Sequence, residues 1–335
     1  MRRPAFSVLV VGCGNIGGAF DQARSRDAWP LTHAGAWTRH GGFRITACAD
    51  PDTSRRSAFQ RHWGVRKGFD SCAQAMGSGG RWDVVSICSP TASHFGDVMM
   101  ALQSRPRLIF CEKPLAPTAA EAEAIVGACE AAGVLLAVNH TRRWAPDVRE
   151  FGRQLAAGEH GEVRSASARY GKGVLNNGSH LLDLLSFWLG PLELLSAGRP
   201  LDDFWPDDPT VPALLAARSG PGIAVGHAHA CDYSLFEIEL VTSCAVIAME
   251  DGGLAWRVRL PGPSAQFAGY RVLDAGRRLP GRYLEAMAGA ADNIYDGLLN
   301  GAPLLSTGAT AIEAQRLCEA IRLASRATPT GPHQS

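Results

Sequence analysis

Three glycines, Gly12, Gly14 and Gly17, follow the apolar run Val8 to Val11, and an aspartate, Asp50, closes the next apolar run. The spacing is that of a dinucleotide-binding turn. Gly12 permits the tight turn, Gly14 lets peptide N–H groups approach a pyrophosphate with no Cβ in the way, and Gly17 lets the following segment pack closely on a sheet. Asn15 and Ile16 complete the turn, whose amides can hold an anion. Asp50 stands where a carboxylate can accept hydrogen bonds from the adenosine ribose and repel a 2′-phosphate, so NAD is the expected cofactor. Arg55 and Arg56 lie near enough in sequence to clamp such a phosphate, which keeps NADP open.

Two other side chains suit work on an alcohol or carbonyl. Lys113 follows the apolar run Leu108 to Cys111, at the edge where ligands bind in open parallel sheets. It can orient an oxygen and stabilise developing alkoxide charge, with Glu112 helping to place it and Pro114 fixing the local backbone. The plain alternative is a solvated loop lysine. His180 can take the proton that an alcohol releases as hydride leaves, because imidazole titrates in the right range. Its plain alternative is a satisfied structural histidine. Ser89, Pro90, Thr91 and His94 follow the run Asp83 to Cys88 and can line the nicotinamide ribose and pyrophosphate. They also suit a strand-to-helix turn capped by Thr91 or Ser93. His227 and His229 share one face of a predicted strand, but no Cys or carboxylate pattern completes a site, so no metal is expected.

These residues need a scaffold, and the first part of the chain alternates strand-like and helix-like segments in the manner of a doubly wound parallel sheet. Phe6 to Val11, Phe43 to Ala49, Asp83 to Cys88, Leu108 to Cys111 and Val134 to Val138 read as strands buried on both faces. Thr118 to Ala132 reads as a helix opened by a capping box with Glu121 and stopped by Gly133. Asp21 to Leu31 interrupts the first helix with charges and a proline and reads as an inserted loop, able to cover cofactor or substrate or to decorate the surface.

After about residue 140 the texture changes. Helices are expected over Pro146 to Ala157 and Gly178 to Leu189, with a strand over Val163 to Tyr170. Strand candidates at Ile223 to Ala230, Leu235 to Val241, Ala245 to Met249 and Leu254 to Leu260 suggest a mostly antiparallel sheet, open on one face with helices on the other. Two helices, near Tyr283 to Asn300 and Thr310 to Arg326, close the chain, and the tail Thr328 to Ser335 reads as frayed. The expected architecture is α/β with two domains, 1–140 and 141–335.

The 335 residues carry a net charge of +1, with no basic block for nucleic acid or an anionic membrane surface. Nine cysteines without a CxxC pair suit a reducing compartment. Arg2 and Arg3 ahead of an apolar run superficially resemble a secretory signal, but cleavage there would remove the first strand, and no run is long enough to span a bilayer. A cytoplasmic protein is expected.

Five motifs in order resemble the Gfo/Idh/MocA family of NAD(P)-dependent oxidoreductases: GCGNIGG at Gly12 to Gly18, AD at Ala49 and Asp50, CSPTASH at Cys88 to His94, CEKPLA at Cys111 to Ala116, and NNGSHLLD at Asn176 to Asp183. The resemblance implies an N-terminal Rossmann domain and a C-terminal α/β domain whose open sheet often forms oligomer contacts, hence a homodimer or homotetramer. It implies that Lys113 polarises the reacting oxygen beside the nicotinamide and that His180 is the acid/base. Asn139, Arg143 and Trp144 match the family's segment near the nicotinamide end, where adjacent arginines suit a phosphate or carboxylate or an interdomain ion pair equally. Tyr170, Lys172 and Asn177 are candidates for substrate contact by position alone. The chain departs from the family at Asn176, where an aspartate is common. Asparagine supplies hydrogen bonds but no charge, and Asp183, three residues beyond His180, is the expected partial replacement. The activity implied is hydride transfer between nicotinamide and a secondary alcohol or ketone of a sugar, polyol or nucleotide-sugar. Alternatives are a glycosidase using NAD in an internal redox cycle and a non-catalytic NAD(P)-binding sensor or assembly subunit.

Overall fold

A computed structural model describes residues 5–25, 27–218 and 220–327; Arg2, Arg3 and the tail Thr328 to Ser335 lie outside them. One compact unit runs to Ala145 and takes in Leu284–Ile312, while the other comprises Pro146–Tyr283 and the chain from Glu313. A single cut at residue 140 therefore does not describe the chain. The helix Ala286–Asn300 buries Met287, Ala290, Ile294, Tyr295 and Leu298 in the first unit's core, beside Phe6, Trp37 and Phe43.

In the first unit, β1 (Phe6–Val11), β2 (Phe43–Ala49), β3 (Lys67–Phe69), β4 (Val84–Ile87), β5 (Leu108–Cys111) and β6 (Leu135–Val138) form a sheet in the order β3-β2-β1-β4-β5-β6. Every pairing is parallel. The order reverses between β1 and β4, the crevice where ligands bind beyond the carboxyl ends of such strands. Val8, Leu9 and Val10 are fully buried, each contributing roughly 1.5–3 kcal/mol relative to exposure. One face of the sheet is covered by α1 (His33–His40) and α2 (Thr53–Trp63) through Trp37 and Phe59; the other carries α3 (Cys72–Gly77), α4 (Thr91–Leu102) and α5 (Ala119–Ala132) through Ala75, Val98 and Ile125. Helix α5 starts as its sequence predicts, with Thr118 Oγ1 accepting the Glu121 N–H at 3.2 Å, and ends at Gly133 in the left-handed region.

The interruption in the first helix is a loop spliced into a helical ladder. The amides of His33 and Ala34 donate to the carbonyls of Ile16 (3.1 Å) and Gly17 (3.0 Å), so α1 continues the turn that the glycines begin. Asp21 pins the splice. Its buried carboxylate accepts from Leu31 N (3.0 Å), Thr32 N (3.0 Å) and Thr32 Oγ1 (2.6 Å). Asp21→Ala would strand these donors, and we expect it to cost roughly 3 kcal/mol, seen as a fall of about 5–10 °C in thermal midpoint. A midpoint equal to wild type would show that the loop is held by other contacts.

In the second unit, α6 (Pro146–Ala156) precedes β7 (Val163–Tyr170), and a π-helical turn, Gly173–Gly178, leads into α7 (Ser179–Leu189). β8 (Leu192–Ala197), the hairpin β9 (Leu201–Trp205) and β10 (Asp208–Thr210), β11 (Ala213–Ala217), β12 (Gly222–His227), β13 (Phe236–Thr242), β14 (Val246–Glu250) and β15 (Ala255–Arg259) follow. A small pair, β16 (Pro261–Pro263) and β17 (Arg271–Leu273), precedes β18 (Arg277–Pro280). The main sheet runs β18-β15-β14-β13-β7-β12-β11-β8, and only β7 with β12 is parallel. Along β13, buried Phe236, Ile238 and Leu240 alternate with half-buried Glu237, Glu239 and Val241, the pattern of a sheet covered on one face.

Candidate active site

At the carboxyl edge of the first sheet, Gly12 has φ +93° and lies so close to the end of β4 that an added Cβ would sit 2.5 Å from the Cys88 carbonyl carbon. Gly17 is equally constrained, its virtual Cβ 2.1 Å from Gly12 O. Gly14 differs. A Cβ there would meet nothing within 4 Å, and with Asn15 it lines a cleft of about 420 Å³ that also takes in Ser54 and Arg55. A glycine turn packed tightly on its protein side and open on the other is the cradle a pyrophosphate requires.

Asp50 holds this cradle. Its buried carboxylate accepts the Cys13 amide at 2.7 Å and the Asp52 amide at 2.8 Å, joining the turn after β1 to the turn after β2. Asp52 caps α2, and the Arg55 amide, with that of Ser54, holds its carboxyl below the usual range. Of the two candidate phosphate clamps, Arg56 is paired with Asp70 at 2.7 Å and donates to the Asp50 carbonyl, while Arg55 leans on Asp52 at 3.6 Å and lines the cleft.

Several expected ligand residues are brackets. His94 is buried, its Nδ1 3.0 Å from Pro114 O and its Nε2 2.9 Å from Ser89 O, so it ties the end of β4 to the segment after β5 rather than facing a cofactor. The Ser89 hydroxyl donates to Asp97 at 2.6 Å. Pro90 is the cap of α4 with no side-chain capping bond, so neither Thr91 nor Ser93 caps it. Lys113 is half-buried just beyond β5. Beside it, Glu112 Oε1 takes Asn139 Nδ2 at 2.5 Å and lies 2.9 Å from His33 Nε2. Asn139, expected at substrate, is thus spent on Glu112 and on Thr141, whose hydroxyl donates to its Oδ1 at 2.9 Å. Trp144 is fully buried against Phe110 and donates to Asn293 at 3.0 Å, a core residue. Arg143 is buried and donates to the Leu305 carbonyl at 3.3 Å. His33 escaped the sequence reading because the inserted loop separates it from the fingerprint; the signal was the helical restart that the loop postpones.

In the second unit, His180 and Asp183 are both buried one turn apart on α7, the same-face placement their spacing predicts. The turn before them is held by two carboxylates that sequence reasoning passed over. Asp208 accepts the amides of Leu175 (2.9 Å) and Asn176 (2.8 Å); Asp203 accepts Lys172 N (2.7 Å) and Thr210 Oγ1 (2.9 Å). The Asn176 side chain donates back to Lys172 O at 3.1 Å, and Asn177 to Gly171 O at 3.0 Å, so both amides shape the turn. Tyr170 is a correction: its hydroxyl exchanges hydrogen bonds with Val211 O (2.9 Å) and Val211 N (3.0 Å) inside the core. His227 ends β12, and His229 lies in the loop beyond it, accepting the Cys231 amide, so they do not share a strand face. Among the described residues no group of three or more His, Cys, Asp or Glu could hold a metal ion, and no helix is long and apolar enough to cross a membrane.

The model of the Gfo/Idh/MocA oxidoreductase family, NAD-binding Rossmann fold, matches over residues 6–140, which span the glycine turn, Asp50, Lys113 and Asn139. That match covers less than half of the chain. Among curated relatives, a D-apiose dehydrogenase of Paraburkholderia graminis is 34% identical over 209 residues, covering 57% of this chain and 52% of the relative. A D-glucoside 3-dehydrogenase of Escherichia coli is 29% identical over 177 residues, covering 47% and 50%. The chain thus spans about half the length of these relatives. In three dimensions it resembles an oxidoreductase from Agrobacterium radiobacter, solved with NAD+, L-tartaric acid and magnesium, with TM-score 0.76, 21% identity and 96% of each chain covered.

Proposed function

We propose that this protein is an NAD(P)-dependent dehydrogenase or reductase acting on a secondary alcohol or ketone of a sugar, polyol or nucleotide-sugar. The observation that carries the reading is Lys113, standing at the carboxyl edge of a dinucleotide-binding sheet with a buried, hydrogen-bonded Glu112 immediately before it. The nicotinamide, when bound, supplies or accepts the hydride. Lys113 holds the substrate oxygen and stabilises its developing charge, and His180 takes or returns the proton. The names of the curated relatives support a carbohydrate substrate. Asp183 supplies, on this reading, part of the charge that Asn176 lacks.

NAD is preferred over NADP, because two acidic residues, Asp50 and Asp52, stand at the ribose end and Arg56 is already engaged. The same proposal includes a cytoplasmic homodimer or homotetramer formed through the exposed face of the large sheet, where Ser165, Ser167 and Ala224 stand clear.

The test is incubation of the protein with NADH, and separately NADPH, against keto-sugars, polyols and sugar nucleotides, following cofactor absorbance and product. We expect substrate-dependent NADH oxidation that is lost in His180→Ala, and at least about tenfold weaker binding of NADPH. Tight NADH binding without turnover across the panel would instead support a sensor, and net hydrolysis without cofactor consumption an internal-redox glycosidase.

A further inference from the structure

One buried side chain links the dinucleotide turn to the residue before Lys113. His33 is fully buried. Its amide donates to Ile16 O at 3.1 Å, its ring lies 4.3 Å from the Phe110 ring on β5, and its Nε2 lies 2.9 Å from Glu112 Oε1. Nδ1 is buried with no partner among the described residues, and Nε2, which faces a carboxylate oxygen that can only accept, is the nitrogen that donates. Asn139, after β6, donates to the same oxygen. Two other segments of the chain therefore close on one carboxylate, a single residue before the lysine.

A purely structural bracket at this place could be built from neutral amides, which cost far less to bury than a carboxylate. Retaining a carboxylate is explained if its charge is used, and the nearest use is the adjacent ammonium. We infer that His33 is a positioning residue for Lys113, acting through Glu112: it fixes the backbone from which Lys113 projects and keeps the Glu112 charge in place beside it. This rests on the role proposed above for Lys113.

The groups facing Glu112 bear on the pH dependence. Burial pushes its carboxyl up, but the hydrogen bond and charge of His33, the Asn139 amide and the Lys113 charge outweigh burial and hold it below the usual range. The Cys88 and Cys111 thiols also face it, and burial pushes both well above the usual thiol range, so they stay neutral. Loss of the His33 donor therefore moves proton uptake by Glu112 upward, and the acid limb of turnover moves upward with it.

The experiment compares wild type, His33→Leu, His33→Gln, Glu112→Gln, the His33→Leu/Glu112→Gln double variant and Lys113→Ala, measuring NADH binding by fluorescence, thermal midpoint, and kcat and KM against pH. We expect His33→Leu to bind NADH within about threefold of wild type while kcat falls on the order of 10- to 100-fold, with KM little changed. Its acid limb should move up by about one pH unit. His33→Gln, which keeps a donor, should recover most of kcat even if the leucine variant folds poorly. The double variant should be no slower than Glu112→Gln alone, as for two residues acting in series. A wild-type pH profile in His33→Leu, with activity reduced only as much as its folded fraction, would overturn the inference while Lys113→Ala remained inactive. Full activity in Lys113→Ala would instead remove the reading on which it rests.

Discussion

Replacing Lys113 by alanine is expected to lower kcat on the order of 10²- to 10³-fold while leaving NADH binding within a few-fold of wild type. The expectation follows from where the side chain starts. β5 is buried along its whole length, Ile109, Phe110 and Cys111 anchoring it in the cores on the two faces of the sheet, so the strand end is a fixed platform. From that platform a half-buried ammonium can meet an oxygen at the strand ends with little reorganisation, the condition under which a charge is worth most in a transition state. The glycine turn and Asp50, proposed above to hold the cofactor, follow other strands and keep all their bonds in the variant. If Lys113 merely balances the Glu112 charge, the variant should instead lose thermal stability and keep its turnover per folded molecule. Thermal midpoint and kcat measured on one preparation separate the two cases.

The parts of this fold that were legible before the structure are those in which burial leaves a one-dimensional trace. β1, β4 and β5 are covered on both faces and read as near-continuous apolar runs, interrupted by Ser7 in β1 and Ser86 in β4. The capping pattern of α5 is equally local. β3 went unseen because Lys67 and Gly68 are exposed at a sheet edge, and β8 and β11 because Leu195 and Leu214 are apolar residues on their exposed face, which blurs the alternation. The helix Ala286–Asn300 shows an apolar stripe, but no stripe says which of two sheets it covers, hence the misplaced domain boundary. For the site, position after a strand pointed to segments at the carboxyl edge of the sheet but not to the direction of each side chain. Asn139 and Trp144 both follow β6, and both turn inward to bind Glu112 and Asn293. His33 needed a contact seventy-nine positions away to be noticed at all.

Alanine at Gly12 and alanine at Gly14 should fail in opposite ways, and the contrast tests the cofactor site without any substrate. At Gly12 the new Cβ would lie 2.5 Å from Cys88 C and O and 2.6 Å from Ser89 N, all backbone atoms of the strand end opposite. A backbone obstacle cannot rotate away as a side chain can. The position also has φ +93°, which alanine adopts only with strain, so relief would require β1 and β4 to part at the point where they pair through Val11 and Ile87. We expect a cost of about 4 kcal/mol or more, visible as a collapse of thermal stability together with loss of NADH binding. At Gly14 a Cβ meets no protein atom within 4 Å. Gly14→Ala should therefore keep a midpoint within about 2 °C of wild type, yet bind NADH at least about tenfold more weakly, because the methyl group would occupy the space a pyrophosphate needs against the turn. Unchanged NADH affinity in a well-folded Gly14→Ala would mean that the phosphates lie elsewhere and that this turn is structural.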